Sequence, residues 1–316
     1  MSRAPSPAKR PGWHWSEYWS SGRVEVMTVD TADGGPPYDT TSLWRDFFQT
    51  LEPGARVIDL ATGGGHVARI AAAAGRSFEV VGVDYADLGP HAGAAPQGLT
   101  LQGGVALEKL PFPPAAFDAA TSQFGIEYAE PRAALAELAR VLRPGGRALL
   151  LVHHAGSAIC RSAAEQVAAF DKVVGEGAAV RQARRVFAAH ARRAPADALR
   201  SAEATFREAV QRMAGRLTDD PAFAQAAGFV GYLDDLARNA ARFEPTSALA
   251  RLEHAETVNA AWRQRLRGQL AAALDEAGVE RFLQRAERAG LERVARQEEH
   301  DARGAVIAWR LGLRRA

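Results

Sequence analysis

One cysteine, Cys160, is all the thiol chemistry this chain has. A lone thiol cannot close an intramolecular disulfide, and no cysteine cluster can build a zinc site; no metal centre is expected. Beside Ile159, Cys160 reads as a small packed side chain rather than a nucleophile. Long apolar runs are missing too: none approaches the roughly 20 residues that a membrane helix needs. The opening "MSRAPSPAKRPG" is polar and proline-rich where a secretory leader needs an apolar stretch. It reads as a disordered tail over 1–12, and the chain as cytoplasmic. An excess of charge is also lacking, since 39 Lys and Arg face 37 Asp and Glu for a net +2. That balance neither requires nor excludes an anionic partner. The run "RQARRVFAAHARR" gathers Arg181, Arg184, Arg185 and Arg192 on one helical face, but acids lie nearby. A solvated face is expected there, and no nucleic-acid partner.

What the chain does have is alternation. With 316 residues and a 47% apolar composition it can bury a large core, as one large domain or two smaller ones. Between about 54 and 155, short apolar runs alternate with helical patterns. "RVIDLA" leads to the helix "HVARIAAAAG", then to "FEVVGVD", "LTLQGG" and "FDAATSQF"; the helix "PRAALAELARVL" and "RALLLVHH" follow. "VIDLA", "VVGV" and "ALLLV" are nearly continuous in apolar residues, as strands covered on both faces of a parallel sheet require. The order predicts a doubly wound α/β fold. Pro131 suits the first position of its helix, and "RPGG" closes it.

From 157 to 288 strand signals are absent and Ala, Arg, Glu and Leu dominate. Pro195, Pro221 and Pro245 punctuate an expected set of four to six helices. The last, "LERVARQEEHDARGAVIAWRLGLRR", returns to strand character around a turn near Ala302–Gly304. The organisation expected is therefore a core of 13–156 with 289–316, interrupted by a helical insertion over 157–288.

The stretch "RVIDLATGGGHVARIA" carries the chemistry. A strand runs into a glycine turn that opens a helix, which lets a nucleotide-bearing cofactor approach the backbone. Gly63, Gly65 and Ala68 fit a dinucleotide pattern. Asp59, however, sits four residues before Gly63. A carboxylate there repels a pyrophosphate and suits an ammonium or sulfonium group. Asp84 ends the next strand, where an acid can accept from both ribose hydroxyls, in NAD proteins as elsewhere.

Together the turn "DLATGGG", Asp84, "LPF" followed by "FD", and "RPGG" resemble the class I S-adenosylmethionine-dependent methyltransferases, over about Val57 to Val152 and more weakly in the last 35 residues. Ala61 stands where that family has its first glycine, which is tolerable only with a negative φ. The resemblance implies a Rossmann-like seven-stranded sheet with a C-terminal antiparallel pair. It implies S-adenosylmethionine as cofactor, held by Asp59, Ala61, Thr62, Gly63, Gly65, Asp84, Tyr85, Ala106, Leu107, Ser122 and Gln123. Ala106 and Leu107 would border the adenine; where many members have an acid for its amino group this chain has apolar residues, and whether Glu108 substitutes stays open.

Methyl transfer needs alignment more than acids or bases. A hydroxyl acceptor also needs its proton removed, and His153 and Tyr128 are the candidates, on the exits of their strands. "WHWSEYWS" reads as a helix docked through its aromatics or as a lid, and Leu43, Trp44, Phe47, Phe48 and Leu51 share a second helical face. The expected partner is a small molecule, with a homodimer through the insertion. An NAD-dependent oxidoreductase and a non-catalytic cofactor-binding partner protein stay open as alternatives.

Overall fold

The computed structural model describes residues 12–20, 39–89, 95–175 and 177–316. Apart from Gly12, the tail expected over 1–12 lies outside them. Contacts divide the chain into two compact units, Met1–Arg161 with Gly268–Ala316, and Ser162–Arg267.

The first unit is built on a seven-stranded sheet of order β3-β2-β1-β4-β5-β7-β6. Strands β1 (Arg56–Leu60), β2 (Glu79–Val83), β3 (Leu99–Gln102), β4 (Phe117–Gln123) and β5 (Leu142–His153) are parallel. β6 (Leu291–His300) and β7 (Val306–Arg315) form the antiparallel pair, with β7 against β5. The turn between them holds Gly304 at a φ of +81°.

The continuous apolar runs are explained by two cores. Along β1, Val57 enters one face while Ile58 and Leu60 enter the other. On the Val57 face, α2 (Thr41–Gln49) and α3 (His66–Ala72) bury Trp44, Phe47, Phe48, Val67 and Ala71. On the Ile58 face, α4 (Pro131–Val141) and α10 (Glu276–Arg288) bury Leu135, Leu138, Phe282 and Leu283. Pro131 opens α4, and the Glu130 side chain caps it by accepting from the Arg132 and Ala133 N–H groups. α10 falls in the sheet unit although the helical composition runs through it; its Val279, Phe282, Leu283 and Ala286 fit the sheet face, and Asp275 caps it.

The second unit is helical. Parts of α5 (Ala158–Val174) and α9 (Pro245–Ala272), with α6 (Ala178–Ala191), α7 (Ala196–Ala214) and α8 (Ala224–Arg238), surround a core of Phe170, Phe187, Phe206, Phe229 and Leu252. α9 runs unbroken through Glu253 and Glu256, which both pair with Arg184 of α6. No helix among the described residues is long and apolar enough to cross a membrane.

Candidate active site

Strand order reverses between β1 and β4, so the crevice outside their C-terminal ends is where such a sheet holds a ligand. The glycine turn fills one side of that crevice. Gly63 and Gly65 take φ values of +53° and +83°, the left-handed region open to glycine. Asp84 fastens the turn: its Oδ2 accepts from the Gly63 N–H at 2.8 Å and its Oδ1 from the Ala86 N–H at 2.8 Å. Burial pushes its carboxyl above the usual range, and these N–H bonds pull it back. The Thr62 and Gly65 N–H groups donate to the Val83 and Thr62 carbonyls. The Thr62, Gly63 and Gly65 N–H groups of the turn are thus engaged within the protein rather than free for a pyrophosphate.

Asp59 is placed differently from the expectation. It is buried beneath the turn, accepting from Thr62 Oγ1 at 2.6 Å and Thr121 Oγ1 at 2.8 Å. It does not line the cavity described below. Burial raises its pKa to about 6, against the pull of the two hydroxyls. Its place braces the turn rather than facing a ligand. Ser122 is equally internal: its Oγ donates to the Leu60 carbonyl at 2.9 Å and accepts the Ile126 N–H at 3.1 Å.

Ala61 corrects a second expectation, because its φ is +54°. Phe124, leaving β4, also sits at a positive φ, +55°. Two non-glycine residues at neighbouring strand ends therefore carry backbone strain, and both line the cavity. Gly125 makes this junction possible, since a Cβ there would lie 2.3 Å from the Ala61 methyl.

Opposite the strand ends stands α1 (Trp13–Ser20), the helix of the aromatic cluster. It is both docked and a wall. Trp19 is buried against Gly63, where an added Cβ would lie 2.2 Å from the indole. Trp15 meets Tyr128 edge-on at 5.6 Å, and Tyr128 meets His153 at 5.8 Å. Gln123 is fixed by α2: its Oε1 accepts from Trp44 Nε1 at 2.5 Å and from Thr40 Oγ1 at 2.9 Å. An indole N–H can only donate, so the oxygen faces Trp44 and the amide NH2 is left for another partner.

These parts enclose a cavity of about 520 Å³. Of the expected residues, Ala61, Asp84, Tyr85, Ala106, Leu107, Gln123 and Tyr128 line it, while Asp59, Thr62, Gly63, Gly65 and Ser122 do not. Trp15, Trp19, Phe124 and Gly125 also line it, as does Glu108, whose Oε1 accepts the Glu130 N–H at 2.8 Å. All its walls belong to the first unit. Among the described residues that line it are two carboxylates and no Lys or Arg. Sequence reasoning passed over Phe124 and Gly125; a bulky residue directly before a glycine at a strand exit was the available signal.

The two histidines after β5 part company. His154 accepts the Gly156 N–H at Nδ1 and packs its ring, tilted by 38°, against Trp309 at 4.4 Å. His153 turns inward, with Nδ1 2.7 Å from Glu127 Oε1 and its ring 4.5 Å from Phe124. Cys160 is a buried free thiol, pushed up by burial. Among the described residues no cluster suited to a metal ion occurs.

A parallel doubly wound sheet ending in an antiparallel pair, with a glycine turn after β1 and an acid after β2, is the fold of a class I S-adenosylmethionine-dependent methyltransferase domain. The family model described as "Methyltransferase domain" matches residues 58–150, from within β1 through most of β5 and without the antiparallel pair. A ubiquinone/menaquinone biosynthesis C-methyltransferase UbiE from Geobacter sulfurreducens is 42% identical over 106 residues, 31% of this chain and 41% of that protein. A demethylmenaquinone methyltransferase from Deinococcus radiodurans is 42% identical over 102 residues, 30% of this chain and 42% of that one. The matched stretch spans less than half the length of these relatives. A solved S-adenosylmethionine-dependent methyltransferase from Mesorhizobium loti aligns with 39% of this chain and 56% of its own at 26% identity, with a TM-score of 0.33.

Proposed function

We propose that the chain transfers a methyl group from S-adenosylmethionine to a small, uncharged, ring-bearing acceptor. The carrying observation is the cavity itself: Asp84 and Glu108 among aromatic walls and His14, with no Lys or Arg among its described lining residues. That charge pattern suits a cationic nucleoside and opposes a dinucleotide pyrophosphate. The cofactor supplies an electrophilic methyl on a sulfonium. In this reading Asp84 accepts from ribose hydroxyls, with the adenine between Tyr85 and Leu107. Glu108 takes the amino group on the oxygen that Glu130 does not use, and the Gln123 NH2 meets the amino-acid end. Trp15, Trp19 and Tyr128 then form the acceptor wall, exclude water and hold the two reactants aligned, which is the main source of rate in such a displacement. The relatives' names, which speak of quinone biosynthesis, support a planar apolar acceptor.

Calorimetry tests the reading. S-adenosylhomocysteine should bind and reduced nicotinamide dinucleotide should not, and Asp84→Asn should weaken the former by about tenfold, or roughly 1.4 kcal/mol. Labelled methyl transfer into a metabolite extract should follow. Tight binding of the nicotinamide with none of the homocysteine nucleoside overturns it.

A further inference from the structure

The pair His153–Glu127 has no part in holding a cofactor, yet both side chains are sealed, at 3% and 0% exposed. A buried ionisable pair is a poor device for stability, because desolvation offsets the attraction. Its details are those of an oriented base. Glu127 Oε1 already accepts the His153 backbone N–H at 2.9 Å, so the oxygen acts as an acceptor. The ring Nδ1, 2.7 Å from the same oxygen, is then the protonated nitrogen. Nε2 keeps its lone pair, and none of the described residues is hydrogen-bonded to it. Glu127 Oε2 is buried without a hydrogen-bond partner, so the carboxylate gains when the imidazole it faces becomes positive.

The groups around the pair leave the role to His153. Cys160 lies near Glu127, and burial together with the Glu127 charge push its thiol up, so it stays protonated. Phe124 and Tyr128, which contact the His153 ring, are cavity walls. The ring thus lies behind two cavity walls, and a proton would pass between it and a bound hydroxyl through a water.

We infer that Glu127 is a positioning residue that holds His153 as the proton acceptor for a hydroxyl-bearing methyl acceptor, so that the substrate class is protic, a phenol or an enol. This rests on the methyl-transfer reading above. The acceptor oxygen forms its bond to the methyl carbon as the carbon–sulfur bond breaks, and that electron pair stays on sulfur. The hydroxyl proton passes through the water to Nε2, and Glu127 holds the resulting imidazolium.

The test uses the full chain loaded with S-adenosylhomocysteine, and 4-nitrophenol as the probe. Bound nitrophenol should show its phenolate absorbance at a pH where the free phenol is protonated. Glu127→Gln should yield about tenfold less phenolate at the same pH, while its affinity for S-adenosylhomocysteine stays at the wild-type value. Histidine nitrogen NMR of the wild-type chain, which needs no variant to fold, should find His153 as the Nδ1–H tautomer. The Nε2–H tautomer, no binding of nitrophenol, or equal phenolate in both proteins overturns the inference while the cofactor reading stands. No binding of S-adenosylhomocysteine overturns that reading, and this one with it.

Discussion

A carboxyl group sealed beneath a turn works against the fold whenever it is ionised. Asp59 has its pKa raised to about 6 by burial, above the roughly 3.9 of an exposed Asp. The native state therefore holds the proton more tightly than the unfolded chain does. The contribution is fully present below about pH 4 and is lost as pH rises through about 6, a difference on the order of 3 kcal/mol. Urea unfolding at a series of pH values should show a steeper loss of stability for the wild type than for Asp59→Asn over that window. Parallel curves would remove Asp59 as the cause. The junction of Ala61 and Gly125 makes a second prediction. Ala61→Gly should stabilise by about 0.5–1 kcal/mol by relieving a left-handed alanine. Gly125→Ala alone should cost about 1–3 kcal/mol through its clash with the Ala61 methyl, and the double variant should recover most of it. At this scale a strand end fixes where the backbone is but not where the side chain turns. Asp84 lies where its place at a strand end implies, because the backbone carries it there. The Asp59 side chain is not legible in the same way, because Thr62 and Thr121, one of them on another strand, draw it inward.

Elements were more legible than side chains. Strands, α3, α4 and the terminal pair follow from apolar runs and punctuation, which are local properties. What α1 rests on was not local: nothing in "WHWSEYWS" says that Trp19 will meet Gly63 of a distant turn. That contact makes Gly63 answer to two demands, a positive φ and room for an indole. Gly63→Ala should lift α1 from the turn and weaken S-adenosylhomocysteine binding by about tenfold or more, which is roughly 1.4 kcal/mol. Calorimetry with amide exchange over α1 checks it: wild-type affinity and unchanged protection would show that α1 does not depend on the turn.

At the scale of the molecule, each unit has a core of its own. Among the described residues, Phe170, Phe187, Phe206 and Phe229 share theirs with none of the sheet unit. In the sequence, strand signals vanish from 157 to 288, whereas the second unit is Ser162–Arg267. The boundary near α10 was hidden because an amphipathic helix reads alike whether it covers a sheet or other helices. Separate cores predict separable unfolding. Of the six tryptophans, only Trp262 lies in the helical unit. The fluorescence difference between wild type and Trp262→Phe should therefore follow a denaturant midpoint distinct from the circular dichroism of the whole chain. One shared midpoint would mean that the two units melt as one.

The sheet ends at β6, whose exposed length is laced with charge: Glu292 holds Arg314, Glu299 holds Arg310, and Arg293 holds Glu280 of α10. An incoming strand from a neighbouring copy would have to strip water from those ions before it met a single backbone amide. That rim is closed to recruitment, so crowding should not turn the domain into a fibre from this side.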